Sequence, residues 1–522
     1  MIAISIGTIS YLISNDLKVI FNQAILNNQI NIFSTHLIQV IIFFIIMFLL
    51  NVISFILDNL ILWKGSKNIV VCSVRKLLKT DYDYFLKAPP SAIWTELNMS
   101  AQQTSGFYSS FIELSSYIIE FVVYGFIIIN ISLYAGFFSI CVIPLSFLMT
   151  FWMQKKLTEW RIKILDASKQ TSTTALEIIS SAKDIKSKNA YEFFLEKLNQ
   201  TQSTLAKSIV VSSFYENYWS GVTSLISSIA PLIVIYLLMG ITNIVTTKPG
   251  DIIVLYSFIP LFLSSFKKIY SIVLTYFTAH PFIETSKKYI TLPEEKAGTV
   301  KIKNFKTLTT KDINVVFDNG QSLKIPNINV KKGDRILLMG ESGIGKSTLF
   351  NILLGMRKNF SGSLEVNGVK IHDIDMENLR NIIGISFQNS GVFSLSLKEN
   401  ILLNKKNDVD FNDIIDITNL KRQLKEKKEQ ILNIDNLSGG EKSRISMAQN
   451  LIRNPEVILI DESLSNVDER MESEIISNII KNFNDKTIIC ISHRENSKKY
   501  FDRVIKFERI SDYSKEKDPQ TL

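Results

Sequence analysis

A chain of 522 residues has room for about two to four domains of ordinary size. Its three cysteines, Cys72, Cys141 and Cys490, have no metal-ligand spacing and argue against a disulfide framework. The formal charge of +9 calls for no nucleic-acid partner, because much of it sits in two basic loops flanking apolar segments, where anionic lipid head groups would meet it.

The long apolar runs are concentrated in the first 290 residues. "LIQVIIFFIIMFLLNVISFIL" (37–57) and "LISSIAPLIVIYLLMG" (225–240) have the length and purity of helices crossing a hydrocarbon layer of about 30 Å. Six candidate spans lie near 2–22, 36–62, 108–132, 135–153, 209–240 and 252–278. The first has the shortest apolar core. A cleaved signal peptide is the alternative there, but "MIAISIGTIS" lacks a basic n-region and a small-residue cleavage pattern. The loop at 63–107 holds six Lys or Arg and that at 154–208 holds ten, whereas the other loops hold at most one each. Basic residues accumulate on the cytoplasmic side, so both long loops and the C-terminal half are expected there. Within the spans, Glu113 and Glu120 fall in the third, Glu216 in the fifth, and Lys267 with Lys268 in the sixth. Glu120 is the deepest, and a pair with a sixth-span lysine is the expected way to offset its burial, contact with cargo being the alternative.

Near residue 300 the pattern changes to short apolar runs separated by Gly, Asn, Asp and Lys. After a linker around "TLPEEKAGTV" (291–300), "INVVF" (313–317) and "PNINV" (326–330) read as strands. Ile336 to Met339 read as a buried parallel strand and "STLFNILL" as a helix. Between them, "GESGIGKS" fits G-x-x-x-x-G-K-[ST] at Gly340, Gly345, Lys346 and Ser347. Such a loop, here Gly340, Glu341, Ser342, Gly343, Ile344, Gly345, Lys346, Ser347 and Thr348, wraps backbone N–H groups around phosphates. Lys346 then reaches the β and γ oxygens and the Ser347 hydroxyl ligates Mg²⁺.

Further along, "VILIDES" (457–463) is a strand ending in two acids. Asp461 is positioned to hold Mg²⁺, directly or through water, and Glu462 to polarise an attacking water. The strand "TIICISH" (487–493) ends in His493, on the γ-phosphate side of such a site, although a lone histidine at a strand end is more often structural.

A second glycine-rich turn, "LSGGE" at Leu437 to Glu441, completes a set. With the loop at 340–347, Gln388 in "ISFQNS", "ILIDE" and His493, it follows the motif order of ATP-binding cassette proteins. The chain resembles their exporter half-transporters over nearly its full length. The resemblance implies an all-α transmembrane domain of six helices (1–290), a linker (291–300) and an α/β P-loop ATPase domain (301–522). It implies ATP and Mg²⁺ as cofactors and a second half-transporter as partner, most simply another copy. In that family Ser438, Gly439, Gly440 and Glu441 would close over the γ-phosphate held by the other subunit. Phe317 falls where an aromatic, usually Tyr, stacks on adenine; Gln388 matches the glutamine that contacts Mg²⁺ and senses the membrane domain; Asp468 in "SLSNVD" matches the dimer-contact acid. The signature departs from the usual, running "GGEKSR" where exporters commonly have "GGQ" and a further Gln before the Arg. The segment from Gln388 to Ser438 is also shorter than usual.

The resemblance further implies ATP-driven export across a bacterial inner membrane, with a peptide, drug-like or other amphipathic cargo. A lipid or lipid-linked-glycan flippase and a membrane-anchored regulatory ATPase are the alternatives. "SSAKDIKSKNA" (180–190) is similar to a stretch of microcin-type peptide exporters. The resemblance also makes "SSAKDIKSKNAYEFF" (180–194) and "APPSAIWTELN" (88–98) candidates for the transverse helices that couple the two halves. Neither a peptidase domain nor an interfacial elbow helix precedes the first span, so a truncated start is expected as one possibility.

Overall fold

The computed structural model describes residues 2–507 except 26, 87, 242–247, 296–297, 318–321, 342, 389–390, 404–408, 422, 424–430 and 433. The chain divides into two compact units, Met1–Thr80 with Tyr84–Glu294, and Glu295–Leu522 with Asp81–Asp83.

The first unit is helical. Its elements are α1 (Ile2–Val19), α2 (Ile30–Lys79), α3 (Asp83–Leu86), α4 (Pro90–Ile131), α5 (Leu133–Cys141), α6 (Ile143–Ser180), α7 (Ala182–Ser187), α8 (Tyr191–Ile241) and α9 (Pro249–Ile290). Pro90 and Pro249 open α4 and α9 in the first turn, where a missing N–H breaks no bond. Among the described residues, α2, α4, α8 and α9 are long and apolar enough to cross a membrane. The predicted first span falls on α1, 18 residues long. The predicted fourth span is not one helix: it breaks at Val142, with Ser132 capping α5 and Pro144 in the first turn of α6.

Tyr124, Ile127 and Ile128 of α4 pack with Val254, Leu255, Phe258 and Ile259 of α9, and Phe121 stacks on Phe262 at 4.5 Å. Buried small residues, among them Ser100, Ala101 and Ser105 of α4 and Ser265 of α9, let helix backbones approach closely. Thr104 and Ser286 join α4 to α9 by a buried hydroxyl pair at 3.0 Å. Of the two sixth-span lysines, Lys268 lies 3.9 Å from Glu120 and over the ring of Tyr117, while Lys267 donates to Thr223 Oγ1.

The second unit holds two sheets. An antiparallel sheet has the order β2 (Ser322–Lys324), β1 (Thr307–Val316), β5 (Ser361–Val366) and β6 (Val369–Lys370), with β3 (Asn329–Lys331) also paired to β1. A parallel sheet has the order β10 (Arg503–Phe507), β4 (Arg335–Gly340), β9 (Thr487–Ile491), β8 (Val457–Asp461) and β7 (Ile383–Ser386). Every residue of β8 and β9 is buried, the state that their apolar runs, 457–460 and 488–491, encode for strands covered on both faces. Alternate side chains feed different cores. Leu338, Leu459 and Ile489 enter one, packed with α10 (Lys346–Leu353) and α11 (Met376–Ile382). Leu337, Ile458 and Ile488 enter the other, which includes residues of α12 (Leu397–Leu402), α13 (Phe411–Ile417), α14 (Gly439–Leu451) and α15 (Glu469–Asn482).

Candidate functional site

Strand order decides where the site forms. Because β9 lies between β4 and β8, the residues after all three strands emerge side by side at the carboxyl edge of the parallel sheet, where ligands bind in open α/β sheets.

After β4, Gly343 and Gly345 take φ of 80° and 100°, and a Cβ on Gly345 would meet Leu323 Cδ2 at 2.4 Å. The positive φ favours glycine at both positions. Ser342 lies outside the described residues. Ile344 is buried in the core, Glu341 is exposed, and Thr348 sits in the first turn of α10. Lys346 is buried and its ammonium donates to the carbonyls of Gly340 and Glu341, at 2.8 Å each, with His493 Nε2 at 3.5 Å. The Ser347 hydroxyl donates to Asp461 Oδ1 at 2.8 Å.

Glu462 follows β8 with φ 47°, a left-handed conformation that a residue with a side chain adopts only when its surroundings hold it. Its backbone N–H donates to Ile491 O at 3.2 Å. Its carboxylate is held from both sides, by His493 Nε2 at 2.8 Å and by Gln388 Nε2 at 3.2 Å. Lys346, Ser347, Gln388, Asp461, Glu462 and His493, drawn from four separate segments, thus form one cluster.

Burial pushes the Asp461 carboxyl above its ordinary range, against the hydrogen bond from Ser347. Burial likewise pushes the Lys346 ammonium down, against the pull of Glu462 and Asp461. Since the folded protein holds Asp461 above its unfolded value, ionised Asp461 opposes folding at neutral pH, and that cost fades as the pH falls through the folded value. Asp461→Asn is therefore expected to raise the melting temperature of nucleotide-free protein at pH 7, with the gain shrinking toward pH 4. Melting curves across that range check it; a lower melting temperature for the variant at pH 7 contradicts it.

A second group forms around the loop at 463–468. Ser438 caps α14 reciprocally with Glu441: its Oγ accepts from Glu441 N at 3.2 Å while the Glu441 carboxylate accepts from Ser438 N at 2.9 Å. Gly439 and Gly440 lie against Asn466, and a Cβ on Gly440 would come within 3.1 Å of Asn466 O. Asp468 caps α15 through Met471 N at 2.9 Å. Phe317 packs against the core between the sheets, with the Arg357 guanidinium 4.3 Å over its ring. Arg357 was not legible in the sequence, because no motif marks it and its contact spans 40 residues.

Two family models match the chain, one described as the ABC transporter transmembrane region over residues 7–266, the other as ABC transporter over residues 323–465. An ATP-dependent permease of Candida albicans is 33% identical over 193 residues, which are 35% of this chain and 28% of that protein. A lacticin-481/lactococcin-DR transport/processing ATP-binding protein of Lactococcus lactis subsp. lactis is 31% identical over 283 residues, 52% of this chain and 39% of the relative. The chain therefore spans well under half the length of these curated relatives. A solved bacterial Atm1-family ABC exporter with ATP bound superposes with a TM-score of 0.82 at 17% identity, covering 97% of this chain and 92% of the other, so the fold is shared.

Proposed function

Because this chain belongs to the ABC transporter family, with a transmembrane region fused to an ATP-binding domain, we propose that it is one half of a dimeric exporter that hydrolyses ATP to move an amphipathic peptide out across a bacterial inner membrane. The observation that carries the reading is the Glu462 carboxylate held between His493 and Gln388, beside Lys346 and the Ser347–Asp461 pair. Peptide cargo rests on the bacteriocin relative.

In this reading the loop at 340–348 cradles the triphosphate, and Lys346 exchanges its two carbonyl contacts for phosphate oxygens. Phe317 stacks on the adenine. Glu462 accepts the proton of the water that attacks the γ-phosphorus, while His493 orients the carboxylate and meets the γ-phosphate. Ser347 and Asp461 offer hard oxygen donors 2.8 Å apart that would hold Mg²⁺, with Gln388, which bonds Glu462 next to Asp461 in sequence, as a further donor. The metal held there would supply positive charge to offset that of the phosphates during transfer.

Ser438, the N–H groups of Gly439 and Gly440, and the positive end of α14 serve the nucleotide of the partner, with Glu441 fixing the turn and Asp468 at the dimer contact. Mixed dimers test this division. With Ser438→Ala on one chain and Glu462→Gln on the other, one site stays intact and about half the ATPase activity remains; with both substitutions on one chain, activity falls well below that. The reverse order would show that Ser438 acts on its own chain's nucleotide.

The function itself is tested by ATPase assays of the purified protein in lipid vesicles against amphipathic peptides, hydrophobic drugs and lipids. Stimulation by peptides supports the reading. Stimulation by lipids alone points instead to a flippase, and hydrolysis insensitive to every compound to a regulatory ATPase.

A further inference from the structure

Arg494 follows His493 directly, and nothing above gives it a role. Its guanidinium makes three polar contacts among the described residues. One arm of its guanidinium pairs with Glu472, a side chain that is 6% exposed. The other donates to two backbone carbonyls of the 463–468 loop, Ser465 O at 3.0 Å and Val467 O at 2.9 Å. Its own N–H donates to Ser492 Oγ at 3.2 Å, which in turn donates to Glu472 Oε1 at 3.5 Å. A planar guanidinium makes these contacts at once; an ammonium has no matching fork.

The two carbonyls flank Asn466, the residue against which Gly439 and Gly440 rest. On the other side, His493 touches Glu462 and Lys346. Glu462, Ser465, Glu472 and Arg494 line one cavity of about 70 Å³ with His493, and His493 and Arg494 are joined directly through the backbone at 492–494. An unbroken series of contacts thus leads from the γ-phosphate side of the chain's own site, through Arg494 and the 463–468 loop, to the Ser438–Glu441 turn.

We propose that Arg494 is a positioning residue that sets the Ser438–Glu441 turn presented to the partner according to the state of His493 in its own chain. This rests on the reading above, in which that turn completes the partner's site. A purely local role predicts that loss of Arg494 harms only its own chain's hydrolysis. Coupling predicts that the damage crosses to the partner.

The test uses full-length mixed dimers in which one chain is wild type and the other carries Glu462→Gln, so that turnover comes only from the wild-type chain's site. Adding Arg494→Lys to the Glu462→Gln chain, which keeps a cation beside buried Glu472, is expected to lower the remaining turnover at least about fivefold with the KM for ATP within about twofold. In Arg494→Lys homodimers the Hill coefficient for ATP is expected to fall toward one. Unchanged turnover in the mixed dimer together with an unchanged Hill coefficient overturns the proposal. The double variant Arg494→Gln with Glu472→Gln removes the ion pair without stranding a buried charge; a wild-type kcat and Hill coefficient in that variant overturns it equally. Failure of the functional reading is separable: it shows as no ATPase in the wild type, or as equal rates in wild type and Glu462→Gln homodimers.

Discussion

Glu462→Gln is expected to bind ATP as wild type does and to lose hydrolysis by about a hundredfold or more, the range over which a positioned general base contributes. The amide keeps the size of the side chain and can still bond His493 and Gln388, so the geometry around it persists. What it loses is the capacity to take a proton from water. With hydrolysis blocked and binding intact, the variant should accumulate as a nucleotide-bound closed dimer. Radiolabelled ATP retention and steady-state phosphate release measure the two halves of this expectation. Wild-type release would remove Glu462 from the base role and leave His493 as the alternative.

Lys346→Ala is expected to fail one step earlier. Truncating one partner of a buried, hydrogen-bonded charge pair costs about 2 kcal/mol or more, which is about thirtyfold in affinity. Its ammonium is already buried and bonded to two loop carbonyls, so it is held at the loop before nucleotide arrives, and alanine offers the phosphates no charge there. The nucleotide-free protein should not suffer equally, because burial of the ammonium is a cost that alanine does not carry. Titration with a fluorescent ATP analogue, beside a melting curve without nucleotide, separates these effects. Undiminished affinity would contradict the role given to Lys346.

The parallel sheet and the cluster at its edge were legible for a physical reason. Strands covered on both faces must be apolar throughout, and the residues at their ends must carry the chemistry, so "RILLMG", "VILIDES" and "TIICISH" announce both strand and site. The antiparallel sheet was harder. The stretch "INVVF" suggested a strand from 313, whereas β1 begins at Thr307. Lys311 and Asp312 interrupt the apolar alternation where the pairing with β5 slips, and Asp312 there takes φ 49°. The break at Val142 was hidden in a similar way, since a run of apolar residues looks continuous whether or not its helix is. Arg494 and Arg357 were illegible because their partners lie 22 to 40 residues away, with no spacing that repeats. In the helical unit, Glu120 and Lys268 could be matched by sign and depth, but choosing Lys268 over Lys267 required the helix faces that packing sets.

The most direct test of the central claim is transport itself. Inverted vesicles carrying the wild-type protein or Glu462→Gln would be given a fluorescent amphipathic peptide with ATP, and the peptide accumulated inside measured over time. Uptake that needs ATP and is lost in Glu462→Gln is the predicted result. ATP hydrolysis by the wild type with no peptide accumulated would contradict it and leave an ATPase that does something other than peptide export.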